Sequence, residues 1–126
     1  MKAIIAISII IVLFFVFSFW LENSIQTTAD DTVSVLYSVE DAVIQGDWDT
    51  AIEKIQTIED NWQHTKRIWQ VLIDHNEIDN IDSTLVKVKS WATLESMEDC
   101  IAELATLKLF VLHVPERKGL RITNIL

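Results

Sequence analysis

Ala3 to Leu21 reads AIIAISIIIVLFFVFSFWL and carries no charged side chain. As an α-helix this run would be about 28 Å long, close to the hydrocarbon thickness of a bilayer. A helix satisfies its own backbone groups, which is what a lipid environment demands of a spanning segment. Ser8 and Ser18 can return their hydroxyls to that backbone, and Trp20 stands at the exit, where an amphipathic ring prefers the headgroup level. The rival reading is a cleaved leader. Leaders have shorter apolar cores followed by a small-residue cleavage site. Here LENSIQTTAD follows, with only Thr27-Thr28-Ala29 as a poor site and no cysteine for a lipid attachment. The sequence therefore predicts a retained single-pass anchor over 1–21.

The flanks orient it. Lys2 precedes the run, and Glu22, Asp30 and Asp31 follow it. Positive charge stays inside. The expectation is a cell-membrane protein with a cytoplasmic amino terminus and an extracytoplasmic carboxy-terminal domain. All 19 acids and nine of the ten bases lie beyond the run, which leaves that part at −10. Such a surface repels phosphate, so nucleic acid is excluded as a partner and the domain should stand off anionic headgroups. Cys100 is the single cysteine, so no internal disulfide can form.

The remaining stretch fits one small domain. Gly46, Gly119 and Pro115 are its entire supply of glycine and proline. An all-β fold needs turn residues far more often than that. The predicted fold class is all-α, the anchor being followed by an antiparallel up-down bundle of four helices. The alternative is three, with the first domain helix a rigid extension of the anchor. Residues 22–28 are polar and read as a juxtamembrane connector, and 29–126 as the acidic bundle. A first helix fits Ala29 to Gln45 with Val35, Leu36, Val39, Ala42 and Val43 on one face, ended by Gly46 and followed by Asp47 as the next cap. In the second helix Trp48, Ile55, Trp62 and Trp69 recur every seven residues, interleaved with Ala51, Ile58, Thr65 and Leu72. That is a heptad seam running to about His75. Asn76 is the expected break. A third helix carries Ile78, Ile81, Leu85, Val88 and Ala92. After Thr93 to Ser96, with Ser96 and Asp99 as a capping pair, a fourth carries Met97, Cys100, Ile101, Leu104, Leu107, Val111 and Val114, and ends at Pro115 and Gly119.

The stretch WQHTKRIWQVLIDHNEIDNI, the GDWDTA entry before it and the closing ITNIL are the most individual parts of the chain. Through Trp48, Trp62, Trp69, His75, Glu77, Asp79 and Asn124-Ile125-Leu126 it resembles a family of short membrane-anchored proteins of Gram-positive, often spore-forming, bacteria, known as a domain of unknown function. The resemblance implies an anchor, a helical class and a bacterial envelope setting. It brings no established activity, cofactor or catalytic residue.

His75, Glu77, Asp79 and Asp82 gather around the expected break between the second and third helices. Imidazole and carboxylate are metal ligands. The spacing fits no known site: counted from Asp74, Ile78 stands at a position where a calcium loop needs an oxygen donor, and no Glu-x-x-His pair of a di-iron bundle occurs. The favoured reading is capping, with His75 on the carbonyls ending the second helix and Glu77 and Asp79 at the start of the third. No metal and no cofactor is expected. His64 follows Asp60 by four and should make an exposed local pair, and His113 should sit near a helix end. Trp48, Trp62 and Trp69 read as core, although rings in an acidic domain could instead line a pocket for an organic cation. Cys100 lies on an apolar face and no serine stands in a nucleophile elbow, so the chain is not read as an enzyme. The leading expectation is an interaction or structural partner of another membrane or envelope protein. The alternative is an extracytoplasmic ligand sensor with a Trp-lined pocket.

Overall fold

A computed structural model gives the backbone of residues 1–125 and the side chains of residues 1–114. The described residues form four α-helices and no strand. They are α1 (Lys2–Ile44), α2 (Trp48–Leu72), α3 (His75–Thr93) and α4 (Met97–Ile125). Each packs on the next and α4 returns to α1, which closes an up-down bundle.

The apolar run and the first bundle helix are one element of 43 residues. No glycine or proline falls within it. Its first half contains a stretch long and apolar enough to cross a membrane, none of which is buried. Ser8 donates its hydroxyl to the Ile4 carbonyl at 2.8 Å, satisfying that group within the helix. The second half buries Ile25, Ala29, Val33, Leu36, Val39, Ala42 and Val43. Residues 22–28 are thus helical, and Ile25 among them is 2% exposed. Val35, expected on the core face, is one-third exposed. The stripe through Ala29, Val33 and Leu36 leaves it on the flank.

The other helices bury the expected seams. In α2 the buried residues are Ala51, Ile55, Ile58, Trp62 and Trp69, with Trp48 and Leu72 partly buried against them. In α3 all five expected apolar positions are buried, together with Thr84, whose hydroxyl donates to the Asn80 carbonyl at 2.7 Å. In α4 Cys100, Leu104, Leu107, Val111 and Val114 are buried, whereas Met97, in the first turn, is not.

Two turns share one device. At the end of α1, Gly46 (φ 72) donates to the Val43 carbonyl at 3.0 Å and Asp47 donates to Ala42 at 2.9 Å. At the end of α3, Glu95 (φ 55) donates to Ala92 at 3.1 Å and Ser96 to Trp91 at 3.0 Å. This is the left-handed helix ending that glycine favours. Asp47 and Asp74 then cap α2 and α3, accepting from Thr50 N–H at 3.3 Å and Asn76 N–H at 3.0 Å. Ser96 and Asp99 bond to each other at 2.6 Å. Glu95 carries a side chain where none is favoured, so Glu95→Gly is expected to stabilise the bundle by about 1 kcal/mol, and Gly46→Ala to destabilise it by a similar amount. A Cβ at Gly46 would meet nothing within 4 Å, so that loss is purely conformational. Guanidinium titration of the full chain in micelles, followed by circular dichroism, measures both; equal signs would refute the account.

Two expected boundaries are corrected. The break between α2 and α3 falls at Ile73 and Asp74, not Asn76, because the Asp74 carboxylate is the better cap. Pro115 and Gly119 do not end α4, which continues to Ile125. A proline removes one backbone bond and clashes one turn back, but the helix can resume beyond it. Leu126 lies outside the described residues.

The hairpin of α1 and α2 fixes what lies at each end of the bundle. Lys54 on α2 donates to the Ser38 hydroxyl of α1, and farther along the pair Thr28 to Val35 face Ile58 to Thr65 across a groove. Matched in this antiparallel register from Ile44 backward, the last residue of α2, Leu72, falls at the level of Trp20. The α2–α3 connection is therefore at the end of the bundle nearest the apolar run, and the other two connections are at the far end.

Candidate functional site

The structure does not bring the six singled-out residues together. Trp48 opens α2 at the far end, half-buried. His75, Glu77 and Asp79 lie at the opposite end, on the first turns of α3. His75 is the first residue of α3, two positions beyond Ile73, the C-cap of α2. It is exposed, as is Asp79, while Glu77 is half-buried. Glu77 lies in the first helical turn, where a carboxylate meets unpaired amides and the positive dipole end. Asp79 lies beyond it. Among the described residues no three His, Cys, Asp or Glu side chains are grouped to hold a metal ion.

Asp82, which the sequence places beside His75, belongs to a different construction. One of its oxygens accepts the Trp62 indole N–H at 2.6 Å, and the other meets the Lys66 ammonium. A single carboxylate of α3 thereby fixes two residues of α2. Trp62 is 8% exposed and Trp69 4%, and their rings meet edge to face at 5.6 Å between centroids and 83° between planes. Such an arrangement adds to what burial alone provides. The void beside the two rings is lined by Thr32, Ile58, Ile81, Leu85, Leu107 and Val111 and measures about 20 Å³. That is room for one water at most. Trp62 and Trp69 are core, and Trp48 is only partly buried against it.

Larger openings lie on the surface on either side of α2. The groove toward α1 holds about 350 Å³ and is edged by Asp31, Asn61, Trp62 and His64. The one toward α3 holds about 390 Å³, with Glu59, Asp60, Lys66 and Asp82 on its walls. His64 is exposed and makes no ion pair with Asp60, whose Oδ1 accepts instead from Gln56 at 3.2 Å. His113 is exposed, and because α4 runs on to Ile125 it is not at a helix end.

The polar contacts missed by sequence reasoning are those that tie helices across the bundle. Lys108 of α4 meets Glu40 of α1 and lies over the Tyr37 ring, 4.1 Å from its centroid. Lys89 of α3 meets Glu59 of α2 at 2.9 Å. The partners lie 68 and 30 positions apart in the sequence, beyond any spacing rule within one helix. Cys100 is fully buried, and its thiol faces the Val88 carbonyl at 3.8 Å. Burial pushes its pKa up from 9.0 to about 11, which leaves it a poor nucleophile at neutral pH. Glu22 has one carboxylate oxygen buried with no hydrogen bond to it from a described residue.

Among the described residues the arrangement is a closed core with ion pairs between helices and polar surface grooves on either side of α2. A search of the curated proteins and of the solved structures finds no match. The sequence does match a protein family over residues 19–125, from the last turn of the apolar run to the end of α4. The chain belongs to that family, the domain of unknown function DUF4363.

Proposed function

We propose that the chain is a single-pass protein of a Gram-positive bacterial cell membrane, and that its helical domain is an interaction or structural partner of another envelope protein. The observation that carries this reading is α1. One unbroken helix has an uncovered apolar half and a half built into the bundle core. A partner held at the membrane would meet the bundle at a fixed height and rotation, because α1 has no glycine or proline hinge. Orientation follows from Lys2 on one flank and Glu22, Asp30 and Asp31 on the other, with the domain outside the cytoplasm. In this reading the domain has no catalysis of its own.

The sensor reading draws on the α1–α2 groove, but Trp62 is nearly covered there and offers no open ring face to a cation. The partner reading therefore stands first. Protease added to intact protoplasts is expected to digest the domain and leave a fragment of the span. Full protection would place the domain inside. Crosslinking in the native membrane is expected to yield a discrete larger adduct containing a second protein. Recovery of the uncrosslinked chain alone, at every linker length tried, would remove the partner reading.

A further inference from the structure

We propose that the last turn of α2, through Ile68 and Val71, lies in the headgroup region of the leaflet from which α1 emerges, so that the bundle is seated on the bilayer at two points. The proposal rests on the membrane reading of α1 given above. Three observations lead to it.

The first is exposure. Val71 is 84% exposed and Ile68 60%, and one turn separates them on a single face. The second is confinement. They are the only large apolar residues exposed on α2, whose outer face otherwise presents Asp49, Glu53, Asp60, Gln63 and Arg67. A scattered apolar residue on a surface needs no explanation, but a pair limited to one end of a polar helix does. The third is level. The hairpin register places Leu72 at the level of Trp20, at the end of the uncharged run, and Val71 and Ile68 at and just above that height. Trp20 is itself 61% exposed and marks the interface on α1. Because α1 is continuous, the bundle axis follows the span axis, and this end of α2 is brought down to the lipid surface by the helix itself.

Arg67 stands beside Ile68, while Asp74 and Asp79 follow on α3 and are exposed. The seating rests on apolar insertion of Ile68 and Val71. This revises the expectation from net charge alone that the domain stands clear of the bilayer.

The test uses the full chain in phosphatidylcholine nanodiscs, with a polarity-sensitive fluorophore attached in turn at Val71→Cys, Ile44→Cys and Phe14→Cys. Cys100 stays in place, buried. Quenching is read from lipids carrying a nitroxide near the headgroup or deep in the chain, and from iodide in the water. The Phe14→Cys label should be quenched by the deep nitroxide. The Val71→Cys label should lose most of its emission to the shallow nitroxide and little to iodide. The Ile44→Cys label, at the far end of the bundle, should behave in the opposite way. An unquenched Phe14→Cys label would remove the membrane reading itself. If Phe14→Cys behaves as expected but Val71→Cys is quenched by iodide alone, the seating is wrong and the span stands. A Val71→Cys label shielded from both quenchers would show that protein, such as a second copy, covers the turn, which also overturns the proposal.

Discussion

Trp62→Ala is expected to cost the bundle about 3–5 kcal/mol, the range for removing a large buried aromatic. Three losses combine in it. The ring is 8% exposed, so its removal leaves a cavity, and the existing void of about 20 Å³ beside it would enlarge. The edge-to-face contact with Trp69 disappears. The Asp82 oxygen that accepted the indole N–H keeps no donor from α2 except Lys66 on its partner oxygen. Trp62→Phe separates these terms, because it keeps an aromatic edge and loses the donor; about 1–2 kcal/mol is expected for it, since Asp82 is partly exposed and water can replace the indole. Guanidinium titration of the full chain in micelles, read by helicity at 222 nm, gives both values. A loss below about 1 kcal/mol for Trp62→Ala would mean that the ring is not structural. It would also return the tryptophans to the pocket reading.

That pair was legible in advance because heptad spacing reports burial directly. Ile55, Trp62 and Trp69 could only share one face, and in α3 the spacing of Ile78, Ile81, Leu85, Val88 and Ala92 left no freedom. The glycine ending and the aspartate cap at Gly46-Asp47 were equally local, and local rules suffice for them. The errors have two causes. Ile25, Ala29 and Val33 continue the core stripe of α1 toward the apolar run, but the polar residues around Ile25 hid the pattern. Pro115 and Asn76 looked like boundaries, because propensity ranks residues one at a time. At Asp74 a neighbouring cap outweighed Asn76.

The candidate cluster was less legible than the fold. Whether His75 ends one helix or begins the next reverses its chemistry, since carbonyls want a donor and amides want an acceptor. A shift of two residues in the boundary moves His75 from one side to the other. Asp82 illustrates the other gap. Its partners, Trp62 and Lys66, lie 20 and 16 positions away, and no spacing rule connects residues across two helices of a hairpin. Such pairs become visible only when the register of the hairpin is known.

Ser34→Pro should be the most damaging single change at an exposed position, with a loss of at least about 3 kcal/mol. Ser34 is exposed and its side chain takes part in no described hydrogen bond, so the effect is confined to the backbone. The substitution removes the N–H that donates to the Asp30 carbonyl one turn back, and the ring presses on that same carbonyl. The break would fall between Val33 and Leu36, both in the core, and would tilt Ile25 and Ala29 away from α2 and α4. Ser34→Ala serves as the reference. It changes only helix propensity and is expected to be neutral or to stabilise by a few tenths of a kcal/mol. The comparison also distinguishes the two architectures the sequence allowed. If α1 were only a rigid extension of the span beside a three-helix bundle, a kink at Ser34 would leave the unfolding midpoint where it is. In the four-helix bundle, α1 contributes seven buried residues to the common core, and the midpoint must fall. Thermal and guanidinium unfolding of both variants in micelles would decide between them, and an unchanged midpoint for Ser34→Pro would remove α1 from the bundle.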